Sequence, residues 1–207
     1  MRTTSHYLIL ASSSPYRQEQ LKKLGVSFDA ISPDIDETRQ VGETPAQLVE
    51  RLSLEKAQKI QSQYPTAIVV GSDQVAYIKE ETSSSDLRHI EVLSKPHTIA
   101  NARAQLLKFS GKSVRFVTGL CCLSPQNEAQ VISEYVDVSF RVLSSSEINN
   151  YIDIEKPLDC AGSFKVEGLG ITLFEKVESS DPNTLIGLPI IALNKMLIKT
   201  GYNILLN

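Results

Sequence analysis

The carboxylate of Asp73 follows the apolar run Ala67-Ile68-Val69-Val70 within Gly71-Ser72-Asp73-Gln74, and Val75 and Ala76 then resume the run. A short β-branched run reads as a strand buried on both faces. Open α/β sheets bind ligands at the carboxyl ends of such strands, so an acid behind a permissive glycine is placed to meet a substrate there. The competing reading is a turn aspartate that bonds its own backbone. Ser12 and Ser14 precede Pro15 at a helix start, where free amides and the positive dipole end favour phosphate, and Arg17 projects from the first turn. The same serines would also serve as plain caps. At about 100° per residue, Lys56 falls on the helical face of Leu48, Val49, Leu52 and Ile60. A cation there either snorkels to solvent or meets an anion in a cleft. Lys95, before Pro96, is a further cation. Asp34, Asp36 and Glu37 follow a short apolar stretch and, with Asp73, could offer oxygen ligands to a hard divalent cation, although an acidic surface turn reads the same way. Cations for phosphate together with carboxylates for a metal or an activated water are what phosphate-ester or anhydride hydrolysis needs. Walker A, Gly-x-Gly-x-x-Gly and His-Glu-x-x-His patterns are absent from the sequence.

The elements that must position these groups follow in order. Residues 7–11 predict a buried strand, and Ser14-Pro15 opens a helix that stops at Gly25. A strand is expected over 28–31, then a helix from Thr44-Pro45 to before Pro65, which leads into the Asp73 strand. Residues 79–90 are polar and aperiodic, an exposed loop or hairpin tip. A helix over 99–109, strands over 113–123 and 131–142, and a helix capped by Ser144-Ser145-Ser146-Glu147 come next. After the glycine-rich 161–170, a strand is expected over 171–177 and a last helix from Leu188-Pro189 to Gly201. This order implies an α/β fold with a mixed central sheet flanked by helices, and the length fits one domain spanning 1–207, either undivided or with two lobes around a central cleft.

Composition narrows the partners. A chain of 207 residues with 42% hydrophobic and 22% charged residues is of the soluble globular type. A net charge of −3 argues against a nucleic-acid polymer as partner. The apolar stretch at 7–11 is too short for a signal core or a membrane span, which predicts a cytoplasmic protein without membrane attachment. Cys121, Cys122 and Cys160 lack metal-ligand spacing and read as reduced core fillers.

Taken in order, Leu10-Ala11-Ser12-Ser13-Ser14-Pro15-Tyr16-Arg17, Asp36-Glu37-Thr38, Glu55-Lys56-Ala57, Gly71-Ser72-Asp73-Gln74, Ser94-Lys95-Pro96, Ala161-Gly162 to Glu167-Gly168 and Gly187-Leu188-Pro189 resemble the Maf family of nucleoside-triphosphate pyrophosphatases. Within it the chain is most similar to the subgroup that hydrolyses 7-methyl-GTP. The resemblance implies the α/β fold of the inosine-triphosphate pyrophosphatases, a cytoplasmic homodimer, a divalent cation (magnesium, manganese or cobalt), and a modified nucleoside triphosphate as substrate. It makes Asp73 the proton acceptor, sets Ser12, Ser14, Arg17, Glu37, Lys56 and Lys95 around phosphates and metal, and makes Tyr16, Gln74 and Glu167 the positions that sort nucleobases. The cation would be held by Glu37 with Asp73 or Asp36, leaving Asp73 to bind metal, water or both. In the family's usual pattern the hairpin before Lys95 is shorter, Ser94 is commonly glycine, and in the subgroup Tyr16 is often tryptophan. The same chemistry on dTTP, UTP or another non-standard nucleotide, and a nucleotide-binding regulator of septum formation, are the rival readings.

Overall fold

The computed structural model describes residues 7–79 and 87–206. Residues 80–86 of the polar 79–90 segment lie outside the described residues. The strands are β1 (Leu8–Ala11), β2 (Asp29–Ala30), β3 (Ile68–Ile78), β4 (Ser113–Leu123), β5 (Ala129–Phe140) and β6 (Phe174–Ser179), and the α-helices are α1 (Pro15–Lys22), α2 (Pro45–Gln61), α3 (Ile99–Phe109), α4 (Ser145–Glu155) and α5 (Ile190–Lys199). The strands form one sheet in the order β2-β1-β3-β4-β5-β6. β1 runs parallel to both β2 and β3, and the remaining pairs are antiparallel. The expected α/β fold with a mixed sheet flanked by helices is the fold found.

Local chemistry sets the helix ends. Ser14 caps α1 by accepting from the Arg17 amide, Pro15 takes the first helical position, and Gly25 ends the segment at φ +68°. Thr44 with Gln47, and Ser144 with Glu147, form reciprocal capping boxes that start α2 and α4. The strand alternation then divides the core. Ile9, Ala11 and Val69 face α2 through Ala57 and Ile60, whereas Leu8, Leu10 and Val70 face Leu21 of α1 and Leu193 and Leu197 of α5. α3 and α4 cover the far end of the sheet, where Leu106 and Ile152 pack with Phe116, Val136 and Phe140.

Two expectations shift. The strand expected over 171–177 begins only at Phe174, because Leu169–Leu173 winds into a 3₁₀ turn. Its local bonds explain this: Glu155 accepts from the Leu169 amide at 2.7 Å and the Thr172 hydroxyl donates to the Leu169 carbonyl at 2.7 Å. Asp73, expected at a strand's carboxyl end, lies inside the eleven-residue β3. What ends near it is the neighbour, since β1 pairs with β3 only as far as Ala11 opposite Gly71. On that edge pairing resumes at Ala76, which exchanges both backbone hydrogen bonds with Leu93 at 2.8 and 2.7 Å. Ser72 to Val75 therefore border a gap in the sheet edge.

Candidate active site

The gap is where the chemistry gathers. Asp73 shares its face of β3 with Gly71, and on β4 it stands opposite Gly119. Both glycines lie directly under α2: a Cβ on Gly71 would come 2.1 Å from the Ser53 carbonyl oxygen, and one on Gly119 would come 2.1 Å from that of Val49. Without side chains at these positions α2 beds against the sheet and brings Lys56 over Asp73. Lys56 is buried, and its Nζ lies 2.6 Å from Asp73 Oδ1 and 2.7 Å from Glu37 Oε1. The lysine on the apolar helix face is thus paired rather than snorkelling, as a buried cation requires.

Arg17 faces the same carboxylates from α1. Its Nε donates to the Gly187 carbonyl at 2.9 Å, an acceptor it shares with the Ser72 hydroxyl at 2.9 Å. Burial holds the guanidinium below its ordinary value, and the charges of Asp73 and Glu37 only partly offset it. Burial also works against ionised Glu37, but the hydrogen bond and charge of Lys56, followed by Lys95 and Arg17, outweigh it and hold Glu37 below the usual glutamate range. The Ser12 hydroxyl accepts from the Ser14 amide at 3.1 Å, which fixes the turn between β1 and α1.

Two adjoining cavities surround these groups. The smaller, about 200 Å³, is polar and runs from Ser12, Ser13 and Ser14 to Glu37, Lys56 and Lys95. The larger, about 480 Å³, extends past Asp73 and Gln74 to Tyr16, Asp159, Phe164 and Glu167. Ser14, Arg17, Glu37, Lys56 and Lys95 line both. The smaller chamber suits phosphates held by a helix N-terminus and three cations, and the larger suits a planar base against Tyr16 and Phe164.

In the larger chamber the Tyr16 hydroxyl lies 3.3 Å from Asp159 Oδ1, and burial, with Cys160 and Asp159 beside it, raises its titration above the ordinary tyrosine value. Gln74 has its amide nitrogen bound to Thr118 Oγ1 at 2.8 Å and to the Thr184 carbonyl at 2.9 Å, so its oxygen is the atom suited to accept from a ligand. Glu167 stands exposed on the chamber wall.

Of the residues proposed for catalysis, substrate or metal, Asp36 alone lines neither cavity. It is exposed, and its Oδ1 accepts from the Thr38 amide at 2.9 Å within its own turn; the Thr38 side chain first, and then this amide, hold its carboxyl below the ordinary value. Cys121 and Cys122 are buried core residues, but Cys160 is half-buried in the wall of the larger chamber. Asp159, Arg39 and the Gly187 carbonyl escaped sequence reading. The nearby signals were Asp36-Glu37-Thr38, the glycine-rich 161–170 and Gly187-Leu188-Pro189, and none marks a role for its neighbours.

Among the described residues no group of three or more His, Cys, Asp or Glu side chains could hold a metal ion. The donors present are two carboxylates, Asp73 and Glu37, converging on one ammonium beside a phosphate-sized chamber. That set fits a magnesium-like cation, which is commonly bound through one or two carboxylates plus substrate phosphates.

The chain is 48% identical over 199 residues, 96% of its length and 94% of the relative's, to the 7-methyl-GTP pyrophosphatase of Colwellia psychrerythraea. It is 48% identical over 198 residues, 95% of its length and 98% of the relative's, to the 7-methyl-GTP pyrophosphatase of Pseudomonas aeruginosa. In fold it is similar to the Staphylococcus aureus Ham1 protein, with a TM-score of 0.52 at 14% identity over 93% of this chain and 98% of that one. Residues 7–200 match the model described as Maf-like protein, and the chain belongs to the Maf family.

Proposed function

We propose that this protein is a nucleoside-triphosphate pyrophosphatase that converts 7-methyl-GTP and water to 7-methyl-GMP and pyrophosphate. The observation that carries the proposal is the pair of adjoining chambers, one polar and cationic, one lined by aromatic rings and carboxylates, with Asp73 in the larger one held against Lys56, which lines both. Both relatives named above are 7-methyl-GTP pyrophosphatases, and they support the choice of substrate.

Arg17, Lys56 and Lys95 neutralise the triphosphate oxygens, while the serines and amides at the start of α1 orient its terminal phosphates. Asp73 accepts a proton from a water molecule. The water oxygen bonds to the α-phosphorus, the bond from that phosphorus to the bridging oxygen breaks, and pyrophosphate leaves with the electron pair. Glu37 and Asp73 would hold a divalent cation with the substrate phosphates, where it supplies Lewis-acid charge stabilisation. In the larger chamber, methylation at N7 makes guanine cationic, and stacking on Tyr16 contributes about 0.5–2 kcal/mol. Glu167 accepts from the N1 and exocyclic amino groups, and the carboxylate of Asp159 favours the positive base further. A homodimer, implied by the family resemblance, would run in light scattering at twice the 22.9 kDa of one chain.

Pyrophosphate release from a panel of triphosphates, with the divalent ion varied, tests this reading. The expected result is preference for 7-methyl-GTP and near-complete loss of turnover in a folded Asp73→Asn variant. A strong preference for dTTP or UTP overturns the substrate assignment, and nucleotide binding without turnover overturns the enzymatic one.

A further inference from the structure

Arg39 lies two residues after Glu37, on the wall of the larger chamber, yet each hydrogen bond it makes goes to backbone carbonyls. Nε and Nη2 donate to the Glu43 carbonyl at 3.0 and 2.6 Å, which curls the arginine's own loop. Nη1 reaches the Ile90 carbonyl at 2.7 Å, and Nη2 also lies 3.3 Å from that of Leu87 and 3.1 Å from that of Arg88. One planar fork therefore joins two segments about fifty residues apart in sequence. The first segment is fixed to α2, because Arg51 bonds the Glu43 carboxylate at 2.7 and 3.0 Å and the Thr38 carbonyl at 3.1 Å. The second continues from Ile90 through Leu93, paired with Ala76, to Lys95. Glu37 and Lys95, the charged groups at the inner ends of these segments, line both cavities.

We propose that Arg39 is a positioning residue that locks the Glu37 loop to the Lys95 segment, setting the distance between the two charged groups that close on the triphosphate; this rests on the pyrophosphatase reading above. A lysine cannot replace it, since a single ammonium does not reproduce the rigid fork that spans both sets of carbonyls. Four proteins test the idea: Arg39→Ala, Arg39→Lys, Lys95→Ala and the double variant Arg39→Ala/Lys95→Ala. Each is assayed for kcat/KM on 7-methyl-GTP and GTP and for amide hydrogen exchange.

Arg39→Ala and Arg39→Lys should each lower kcat/KM by about ten-fold or more while leaving the 7-methyl-GTP to GTP ratio unchanged, because the lock acts on the phosphate side. In the Lys95→Ala background the Arg39→Ala loss should largely vanish. Exchange should rise over residues 87–95 and stay unchanged in α2 and β4. Equal losses in both backgrounds, full activity of Arg39→Lys, or unchanged exchange over 87–95 would overturn the proposal. Wild-type protein inactive on every triphosphate would instead remove the pyrophosphatase reading, and the exchange comparison would still decide whether Arg39 locks the two segments.

Discussion

Replacing Gly71 by alanine tests the claim that close approach of α2 builds the site. The new Cβ would sit 2.1 Å from the Ser53 carbonyl oxygen and 3.1 Å from the Ala57 nitrogen, whereas real Cβ contacts essentially never fall below 3.0 Å. Both are backbone atoms, so the helix itself must retreat, by about 1 Å. Overpacking of this kind costs about 1–3 kcal/mol. For a chain of this size that lowers the melting temperature by roughly 2–12 °C. Lys56 rides on the same turn of α2, and its 2.6 Å bond to Asp73 would stretch beyond hydrogen-bond range. A misplacement of about 1 Å in a catalytic pair lowers turnover on the order of a hundredfold. Gly119→Ala, which meets the Val49 carbonyl oxygen at 2.1 Å, should behave alike. Gly201→Ala is the control: at φ +85° with nothing within 4 Å of its Cβ, it should lose about 1–2 kcal/mol to backbone strain and keep full turnover. Thermal melts and pyrophosphate release on the three variants decide the matter, and Gly71→Ala with wild-type turnover would refute the reasoning.

Further outcomes follow from the same geometry. Glu37 is held below its ordinary value of 4.5, so its pairing stabilises the fold fully above that value and is lost as the pH falls through the lowered one. The melting temperatures of wild type and Glu37→Gln should therefore differ at neutral pH and converge as the pH falls below 4.5, with a modest gap because the Glu37 side chain is 59% exposed. An unchanged gap across that range would exclude the pairing. Burial pushes the Cys160 thiol up to about 12, so iodoacetamide should label it in native protein at pH 8 on the order of a hundredfold or more slowly than in urea-unfolded protein, read by peptide mass spectrometry; equal rates would contradict its burial. Asp159→Asn should reduce discrimination of 7-methyl-GTP over GTP by up to about five-fold, since it removes one charge facing a cationic base at an exposed position. Competition assays with both nucleotides measure this, and an unchanged ratio would take Asp159 out of base selection.

Lys56 was legible because helical periodicity makes a charge on an apolar face visible without any partner being known. Gly71 was read as backbone freedom, yet its φ lies outside the left-handed region and what it supplies is missing volume beneath α2. The facing element that makes such volume matter is tertiary and leaves no mark in a local pattern. Arg39 was invisible for a related reason, since its acceptors are carbonyls of Glu43, Leu87, Arg88 and Ile90, and a carbonyl is common to every residue type. Asp73 was found from its chemistry and misplaced in its strand. An apolar run records that a strand is buried but not how far each neighbour accompanies it, so the end of β1 opposite Gly71 could not be read from the run around Asp73.

That early end of β1 is what allows one chamber to use both faces of the sheet. Asp73 points to the α2 side and Gln74 to the side of the 182–186 turn, where its amide meets the Thr184 carbonyl. In a strand paired along both edges, side chains of successive residues are separated by the sheet itself. Here the edge from Ser72 to Val75 is flanked by β1 below and the Leu93 bridge above, and Asp73, Gln74 and Val75 line one cavity around it. The chain after Ala11 creates the opening by turning away: the Ser12 amide donates to the Leu10 carbonyl at 2.9 Å, an i to i−2 bond, and Pro15 then commits the chain to α1. One turn thus ends β1 beside Asp73, frees the edge for the larger chamber, and starts the helix whose amides and Arg17 face the smaller one. The serines between strand and helix link the acid to its cations, which is why Asp73, Ser14 and Arg17 belong to one site although they come from three separate elements.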